Sequence, residues 1–279
     1  MLAPDALARG STSLRLDLDW GNDFGRRFGR YLVDGEHRAL AITLRRGVTD
    51  SLALGVRLPL LWRGGGFLDH FADLVHKLGF PDNGRPFFPE DVLSVSGIDR
   101  SGRALSWGGA AGSGLGKLEL EAKLALLRRQ ASRFALALVG RAALPTGTGE
   151  FRGGGAEAGG QIVAALGLGE RWDAYAGVGL AVAGEREAEG LEYARNRAFG
   201  HLGIEWRFAR RWSAVGQLDG GGRLVTSVMD YPSLQSYLRL GFKRDLGART
   251  TAEAAFSENL KNQQATTDFG VYFAVVRRF

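Results

Sequence analysis

The chain reads as an all-β protein, a transmembrane antiparallel β-barrel of about twelve strands with a short helix in one long extracellular loop. Three observations predict it: long segments of period-two alternation, connections that are short and long by turns, and aromatic residues gathered near both ends of the segments.

The alternation is clearest in four places. Leu14, Leu16, Leu18 and Trp20 alternate with Arg15, Asp17 and Asp19. Leu52 to Trp62, Leu118 to Leu126 and Leu238 to Phe242 repeat the pattern. Successive side chains of a strand point to opposite faces, so each segment has one apolar and one mixed face. The same reading places strands near 12–21, 33–45, 50–63, 114–127, 132–146, 156–169, 171–184, 193–208, 211–223, 232–245, 249–259 and 265–279. Many match the roughly 9–11 residues of a tilted membrane-spanning strand. Pro59 falls inside the third; it cannot donate to a ladder, so a bulge or break is expected there.

Short turns fall at 46–49, 127–131, 169–171, 209–211 and 246–248; the intervening connections, 22–32, 64–113, 147–155, 185–192, 224–231 and 260–264, are longer. In outer-membrane barrels the short turns are periplasmic, and an even strand number puts both termini on that side. Trp172, Trp206, Phe208, Trp212 and Phe279 gather near the short-turn ends, and Trp20, Phe24, Trp62, Tyr193 and Tyr231 near the long-loop ends, as two interfacial girdles would. A soluble β-sandwich or lipocalin-like barrel would share the alternation with its apolar face turned inward.

Composition narrows the function classes. The 279 residues are read as a single barrel domain, 1–279, and contain no cysteine, so disulfides and thiolate metal sites are excluded. Glycine is frequent, at 42 residues, and spread through the alternating segments, which fits a crowded barrel interior. The net charge of +6 comes from dispersed arginines without a basic run, so nucleic acid is not an expected partner. No apolar stretch is long enough for a spanning helix. The start, Met1-Leu-Ala-Pro-Asp5, carries neither the basic flank nor the apolar core of a secretion signal. A mature form, or one with an added Met1, in the bacterial outer membrane is therefore expected.

The chain ends Thr267-Asp-Phe-Gly-Val-Tyr-Phe-Ala-Val-Val-Arg-Arg-Phe279. Phe269, Val271, Phe273, Val275 and Phe279 share one face, and Arg277 interrupts it at headgroup depth. The terminal aromatic with alternating apolar residues, Phe273 and Phe279 foremost, resembles the signal read by the outer-membrane assembly machinery. Four further stretches resemble an uncharacterised family of outer-membrane-type barrels, the domain-of-unknown-function family 3187. They are Leu14-Arg-Leu-Asp-Leu-Asp-Trp-Gly-Asn-Asp-Phe24; Asp34-Gly-Glu36; Gly64-Gly-Gly-Phe-Leu-Asp69 running into Phe80-Pro-Asp-Asn-Gly-Arg85; and Gly112-Ser-Gly-Leu-Gly-Lys-Leu118 with Leu144-Pro-Thr-Gly147. The resemblance implies a barrel and a membrane location, and brings no activity, cofactor or catalytic residue.

Two constellations remain as candidate sites. In the 64–113 insertion, Phe67, Leu68, Phe71, Leu74, Val75 and Leu78 follow helical spacing, and Gly79 and Pro81 would end a helix of about three turns. It is either a lid or plug for a small apolar ligand, with Phe87 and Phe88 at an entrance, or a helix lying on the barrel rim. The mixed faces form the second constellation: Arg15, Asp17, Arg57, Glu119, Glu121, Lys123, Arg141, Glu205, Arg239 and Lys243 project inward, with Asp19, Arg207, Asp219 and Glu253 among them. They either close the lumen as pairs or line a polar path.

Catalysis lacks a partner set. His70 and His76 stand six residues apart, so not on one helix face; His37 lies near a rim; and inward His201 has Glu205 four residues on, about 13 Å away along the strand. No Gly-x-Ser-x-Gly elbow and no metal-ligand spacing occurs. The reading is a monomeric, narrow or occluded channel for small apolar molecules, gated by the 64–113 loop, in contact with outer-membrane lipids and without cofactor or metal. The alternatives are a barrel scaffolding another envelope protein and, third, a lipid-modifying enzyme.

Overall fold

Within hydrocarbon a backbone must satisfy its own hydrogen bonds, and strands can do so only if their sheet has no edge. The computed structural model, which describes residues 7–71, 89–106, 111–129, 133–152, 154–188, 191–260 and 266–279, meets that condition. Twelve antiparallel strands follow one another around a ring: β1 (Thr12–Arg27), β2 (Tyr31–Gly47), β3 (Leu52–Gly64), β4 (Gly112–Leu115 and Leu118–Leu127), β5 (Phe134–Leu144), β6 (Glu157–Gly167), β7 (Trp172–Val182), β8 (Asn196–Ala209), β9 (Trp212–Gly222), β10 (Leu234–Asp245), β11 (Thr250–Asn259) and β12 (Thr266–Arg278). Each pairs with the next, and β12 returns to β1 in register from Ser13 opposite Arg278 to Phe24 opposite Thr266. The Phe279 N–H donates to the Thr12 carbonyl at 2.8 Å and so ties the chain end into the seam.

The alternation predicts which face is apolar; exposure decides which way it points. Ile42 is 49 % exposed, Val178 63 % and Leu202 62 %, whereas Ala41 and Ala137 on the opposite face are fully buried. Large aliphatic side chains outside and charged or small ones inside are the arrangement of a barrel solvated by lipid, the reverse of a lipocalin-like core. The inner face is not charged throughout. On β5 and β6 it carries Ala137, Val139 and Val163, which pack as a small apolar cluster.

Pro59 produces the expected irregularity. Between the pairs Arg57–Glu119 and Leu60–Leu115, β3 advances three residues and β4 four, so β4 bulges by one. The Pro59 carbonyl still accepts from Gly116 N at 2.9 Å.

One expected connection is corrected. The sequence predicts a loop over 22–32, but β1 and β2 stay paired as far as Arg27 opposite Tyr31 and turn over only three residues, 28–30. The extension has no apolar alternation of its own. Contacts with other loops hold it, and Ser94–Ile98 adds a strand to its flank by pairing with Tyr31–Asp34. The girdles also need correction at the long-loop end, where Phe24 and Tyr231 are buried in protein rather than set at an interface. At the short-turn end the girdle stands: Trp172 stacks on Trp206 with centroids 5.5 Å apart, and Phe208 adjoins Trp206.

The outward assignment carries a stability prediction. Ile42→Arg places a charge on the lipid face near mid-strand and is expected to destabilise the barrel by about 2–4 kcal/mol. Gln217→Lys on the lumen face is expected to have little effect. Reversible denaturant titration in phospholipid vesicles measures both, and equal effects would contradict the assignment.

Candidate functional site

The family-like stretches, far apart in the chain, meet on the outer face of the β1–β2 extension. Glu36 stands at the centre. One of its carboxylate oxygens accepts from the Trp20 indole N–H and from Arg38 Nη2 at 2.8 Å; the other accepts from the Leu68 backbone N–H at 3.0 Å. Its side chain is only 3 % exposed, so these partners, and not water, balance its charge. The Arg38 guanidinium lies 4.5 Å over the Trp20 ring, and Phe67 meets the same ring edge-on at 4.8 Å. Asp69, buried beside it, accepts from the Asn22 amide and from Asp91 N at 2.7 Å. Gly66 has no room for a side chain, because a methyl group there would collide with the Glu36 carboxylate. Trp20, Asn22, Glu36 and Gly66–Asp69 thus form one knot that fastens the start of the insertion to the outside of the wall.

The fourth stretch meets its own partner. Leu115 and Thr148 exchange two bonds of 2.9 Å, through both backbone groups and the threonine hydroxyl, and Leu118 N donates to Thr146 Oγ1 at 2.8 Å. Gly114 faces the Thr148 carbonyl so closely that a Cβ would clash with it. This contact seals the wall where β5 has already ended and β4 continues above it.

The later part of the insertion turns inward over the mouth. Ser94–Ile98 and Ala104–Ser106 form a hairpin on the flank of β2. Its turn is held by Asp99, which accepts from the Ser101 and Arg103 backbone N–H groups and the Ser101 hydroxyl; these bonds hold the Asp99 carboxyl below the usual range. Asp99 bridges to Val228 in the β9–β10 loop, and Met229 N donates to the Ile98 carbonyl at 3.0 Å. Beneath, Tyr31, Leu191, Val225, Val228 and Tyr231 form a buried cluster, with Val33, Leu105 and Tyr193 packed against it. Burial pushes the Tyr31 phenol up to about 12, as expected where water is excluded. Arg30 adds an ion pair to Asp230 at 3.3 Å. β2 and β8 stand six places apart around the ring (β2–β1–β12–β11–β10–β9–β8), so contacts between β2 and the β7–β8 loop cross its full diameter. The cluster is therefore a cap across the mouth.

Below the cap the inner wall carries a ladder of ion pairs. Arg15 binds Asp17 and Glu253, and Tyr272 donates to Asp17. Lys243 reaches Glu205 at 2.7 Å, with Tyr175 as the second donor to that carboxylate at 3.2 Å. Arg57 pairs with Glu119 at 2.5 Å, and Glu121 lies between Arg45 and Arg141. Asp219 pairs with Arg239 at 3.2 Å. A cavity of about 300 Å³ lies among Asp19, His37, Gln217, Tyr237, Arg239 and Tyr272. The apolar cluster stands across one end of this lumen, and the paired charges line its wall.

The profile of a family described as proteins of unknown function, DUF3187, matches residues 2–279. The chain belongs to the DUF3187 family. Among solved structures it resembles the COG4313 outer membrane channel from Pseudomonas putida F1, with 15 % identity, a TM-score of 0.68, and 99 % of this chain and 98 % of that one covered. The NanC porin follows at 6 % identity and a TM-score of 0.55, covering 94 % and 98 %. At such identities the likeness is one of fold, an outer-membrane barrel of the porin and channel kind. No curated protein matches in sequence.

For this DUF3187 member, the lumen charges read from the sequence lie inward, and the ion pairs above engage Arg15, Asp17, Arg57, Glu119, Glu121, Arg141, Glu205, Asp219, Arg239, Lys243 and Glu253; Lys123 is buried, and Arg207 reaches Asp173 at 3.7 Å. Their partners Arg45, Tyr175 and Tyr272, and also Asp173, which holds Arg129 at 2.8 Å, are not among the residues that the sequence predicts. Period-two parity could have found the strand residues, since each shares the inner face of its strand; Arg129 lies in a turn and carried no signal. Of the insertion residues, Phe67, Leu68 and Phe71 are seen: Leu68 is buried, Phe67 and Phe71 are about half exposed, and residues 68–71 form a helical turn. Leu74, Val75, Leu78, Phe87 and Phe88 lie outside the described residues. Phe273 and Phe279 are exposed on the outer face. His201 stands in register with Asp219, and Glu205 is occupied by Lys243.

The knot yields a prediction. Glu36→Ala strips the buried Leu68 N–H and the part-buried Trp20 indole N–H of their acceptor, at about 1–3 kcal/mol for each left unsatisfied. Limited proteolysis should then cut residues 66–91 far faster than in the parent protein, while the barrel keeps its heat-sensitive gel mobility. Unchanged proteolysis would contradict the clamp.

Proposed function

We propose that the protein is an outer-membrane channel for small, weakly polar molecules, closed at rest by the cap over its extracellular mouth. The observation that carries this reading is the apolar cluster joining Tyr31 and Leu105 on one side of the mouth to Leu191, Val225, Val228 and Tyr231 on the other. Loops that met only water would have no reason to bury five apolar side chains across a lumen. The gating element is the 94–106 hairpin of the insertion together with the tip of β1–β2. The segment at 66–69 is a fixed anchor outside the wall, which leaves the hairpin free to move on an immobile base.

The ladder bears on what passes. Most lumen charges are neutralised by a neighbour within 2.5–3.2 Å, so among the described residues no ring of a single sign faces the path. Rings of one sign are what select ions. A neutral or amphipathic solute fits this wall better. The fold relatives are channels and porins, which favours transport over catalysis.

The chain has no cysteine, so a lock can be placed cleanly. Asp99 and Val228 are bridge partners, close enough for a disulfide after substitution to cysteine. In planar bilayers the oxidised D99C/V228C variant should stay closed and open on reduction, and deletion of 100–103 should raise conductance in the absence of any lock. Equal conductance of the oxidised and reduced forms, with the cross-link verified, would overturn the gating reading.

A further inference from the structure

The outer wall carries two apolar grooves side by side, near the short-turn end. One, of about 450 Å³, runs between Leu16 and Leu40 on one bank and Trp212 on the other, over a floor of Ala252 and Ala254. The other, of about 650 Å³, has Ala214 and Gly216 for its floor and Trp206 and Leu240 on its banks. Phe242 and Phe273 border both, so Phe242 stands as the ridge between them. A single straight groove would suit any alkyl chain. Two parallel grooves divided by one ridge suit a molecule with two chains.

Among the described residues, the charge at the foot of the ridge has no carboxylate to answer it. Arg244 lies two residues from Phe242 on the same face, about 7 Å nearer the short-turn end. Its guanidinium rests 4.9 Å from the Trp212 ring, which holds it in place and leaves its N–H donors unused. Beyond β11, Arg277 lies 5.2 Å from the Phe279 ring on the same outer face, about 10 Å across the sheet. Neither arginine is in an ion pair among the described residues. The adjoining turns add Arg210, Arg211 and Arg249, all exposed, while the nearby carboxylate Asp245 accepts a bond from Thr251. A guanidinium presents paired donors that match phosphate oxygens.

We propose that this surface is a binding site for one anionic diacyl phospholipid of the periplasmic leaflet. Its two chains lie in the grooves on either side of Phe242, and its phosphodiester sits between Arg244 and Arg277. The two cations favour a headgroup of net negative charge, such as phosphatidylglycerol, over the zwitterionic phosphatidylethanolamine. The site lies on the outer face, apart from the lumen and the cap, so it stands or falls independently of the channel reading.

The test is native mass spectrometry of the full chain in detergent, given equal amounts of phosphatidylglycerol and phosphatidylethanolamine with matched acyl chains. The parent protein should retain phosphatidylglycerol in preference by about fivefold or more, from roughly 1 kcal/mol per arginine at the headgroup level. Arg244→Gln should cut that preference about fivefold, the part left being that of Arg277, and Arg244→Lys should keep more of it. Phe242→Ala should weaken both diacyl lipids while leaving their ratio unchanged. Heat-sensitive gel mobility confirms that each variant is folded. Equal retention of the two lipids by the parent protein, or an undiminished preference in Arg244→Gln, would overturn the proposal. So would lysophosphatidylglycerol or free glycerol phosphate binding as well as the diacyl lipid, because the grooves would then play no part.

Discussion

The pairing of β12 with β1 is the constraint on which the rest of the structure depends. Once the ring is closed, every strand has two neighbours, and the sheet can lie in hydrocarbon without unsatisfied N–H or C=O groups. Along the part of the ring that lies in hydrocarbon, closure also divides the side chains: even-numbered residues of β1 and β2 such as Leu16 and Ile42 go to lipid, odd-numbered ones such as Arg15 and Thr43 go inside. The charges so enclosed cannot reach bulk water freely and pair with one another instead. The Arg15–Glu253 and Lys243–Glu205 contacts follow from the ring, rather than the ring from the contacts.

Closure leaves two open ends, and the chain treats them differently. At the short-turn end the strands stop together, with arginines and tryptophans at the rim. At the other end β1 and β2 overrun their neighbours and offer two surfaces. The outer one receives Gly66–Asp69 around Glu36; the inner one, through Tyr31 and Val33, receives the loops from across the ring. A single hairpin thus serves as a mast, with the insertion fastened outside it and the cap resting inside. The buried Glu36 fits this role. A carboxylate held by the Trp20 indole, the Arg38 guanidinium and the Leu68 N–H in fixed directions specifies one geometry for the insertion, as an apolar contact of the same size would not.

Much of the barrel was legible because period two is a local signal. Leu118 to Leu126 states both the strand and its lipid face without reference to any other segment. The ion pairs Arg57–Glu119 and Lys243–Glu205 were legible as inward residues, though not as partners, because register depends on how neighbouring strands meet. The cap was not legible. Tyr31, Leu191, Val225 and Tyr231 come from three segments without shared periodicity, and each alone resembles an interfacial or loop residue. Their one visible signal is the presence of large apolar side chains in connections otherwise rich in charge. The overrun of β1 and β2 was hidden for the same reason: Gly25-Arg-Arg27 has no alternation, and its pairing is supported from elsewhere. The motifs Asp34-Gly-Glu36 and Gly64-Gly-Gly-Phe-Leu-Asp69 were visible as unusual stretches, but only the fold shows that the first exists to hold the second.

In the proposed channel the extracellular mouth is sealed above a narrow lumen. This seal is tested most directly by placing a lone cysteine at the lumen position Gln217 and adding a bulky, membrane-impermeant maleimide to intact cells. The account predicts that Gln217→Cys stays unlabelled while the cap is intact and is labelled once residues 100–103 are deleted. Rapid labelling with the cap intact would contradict it.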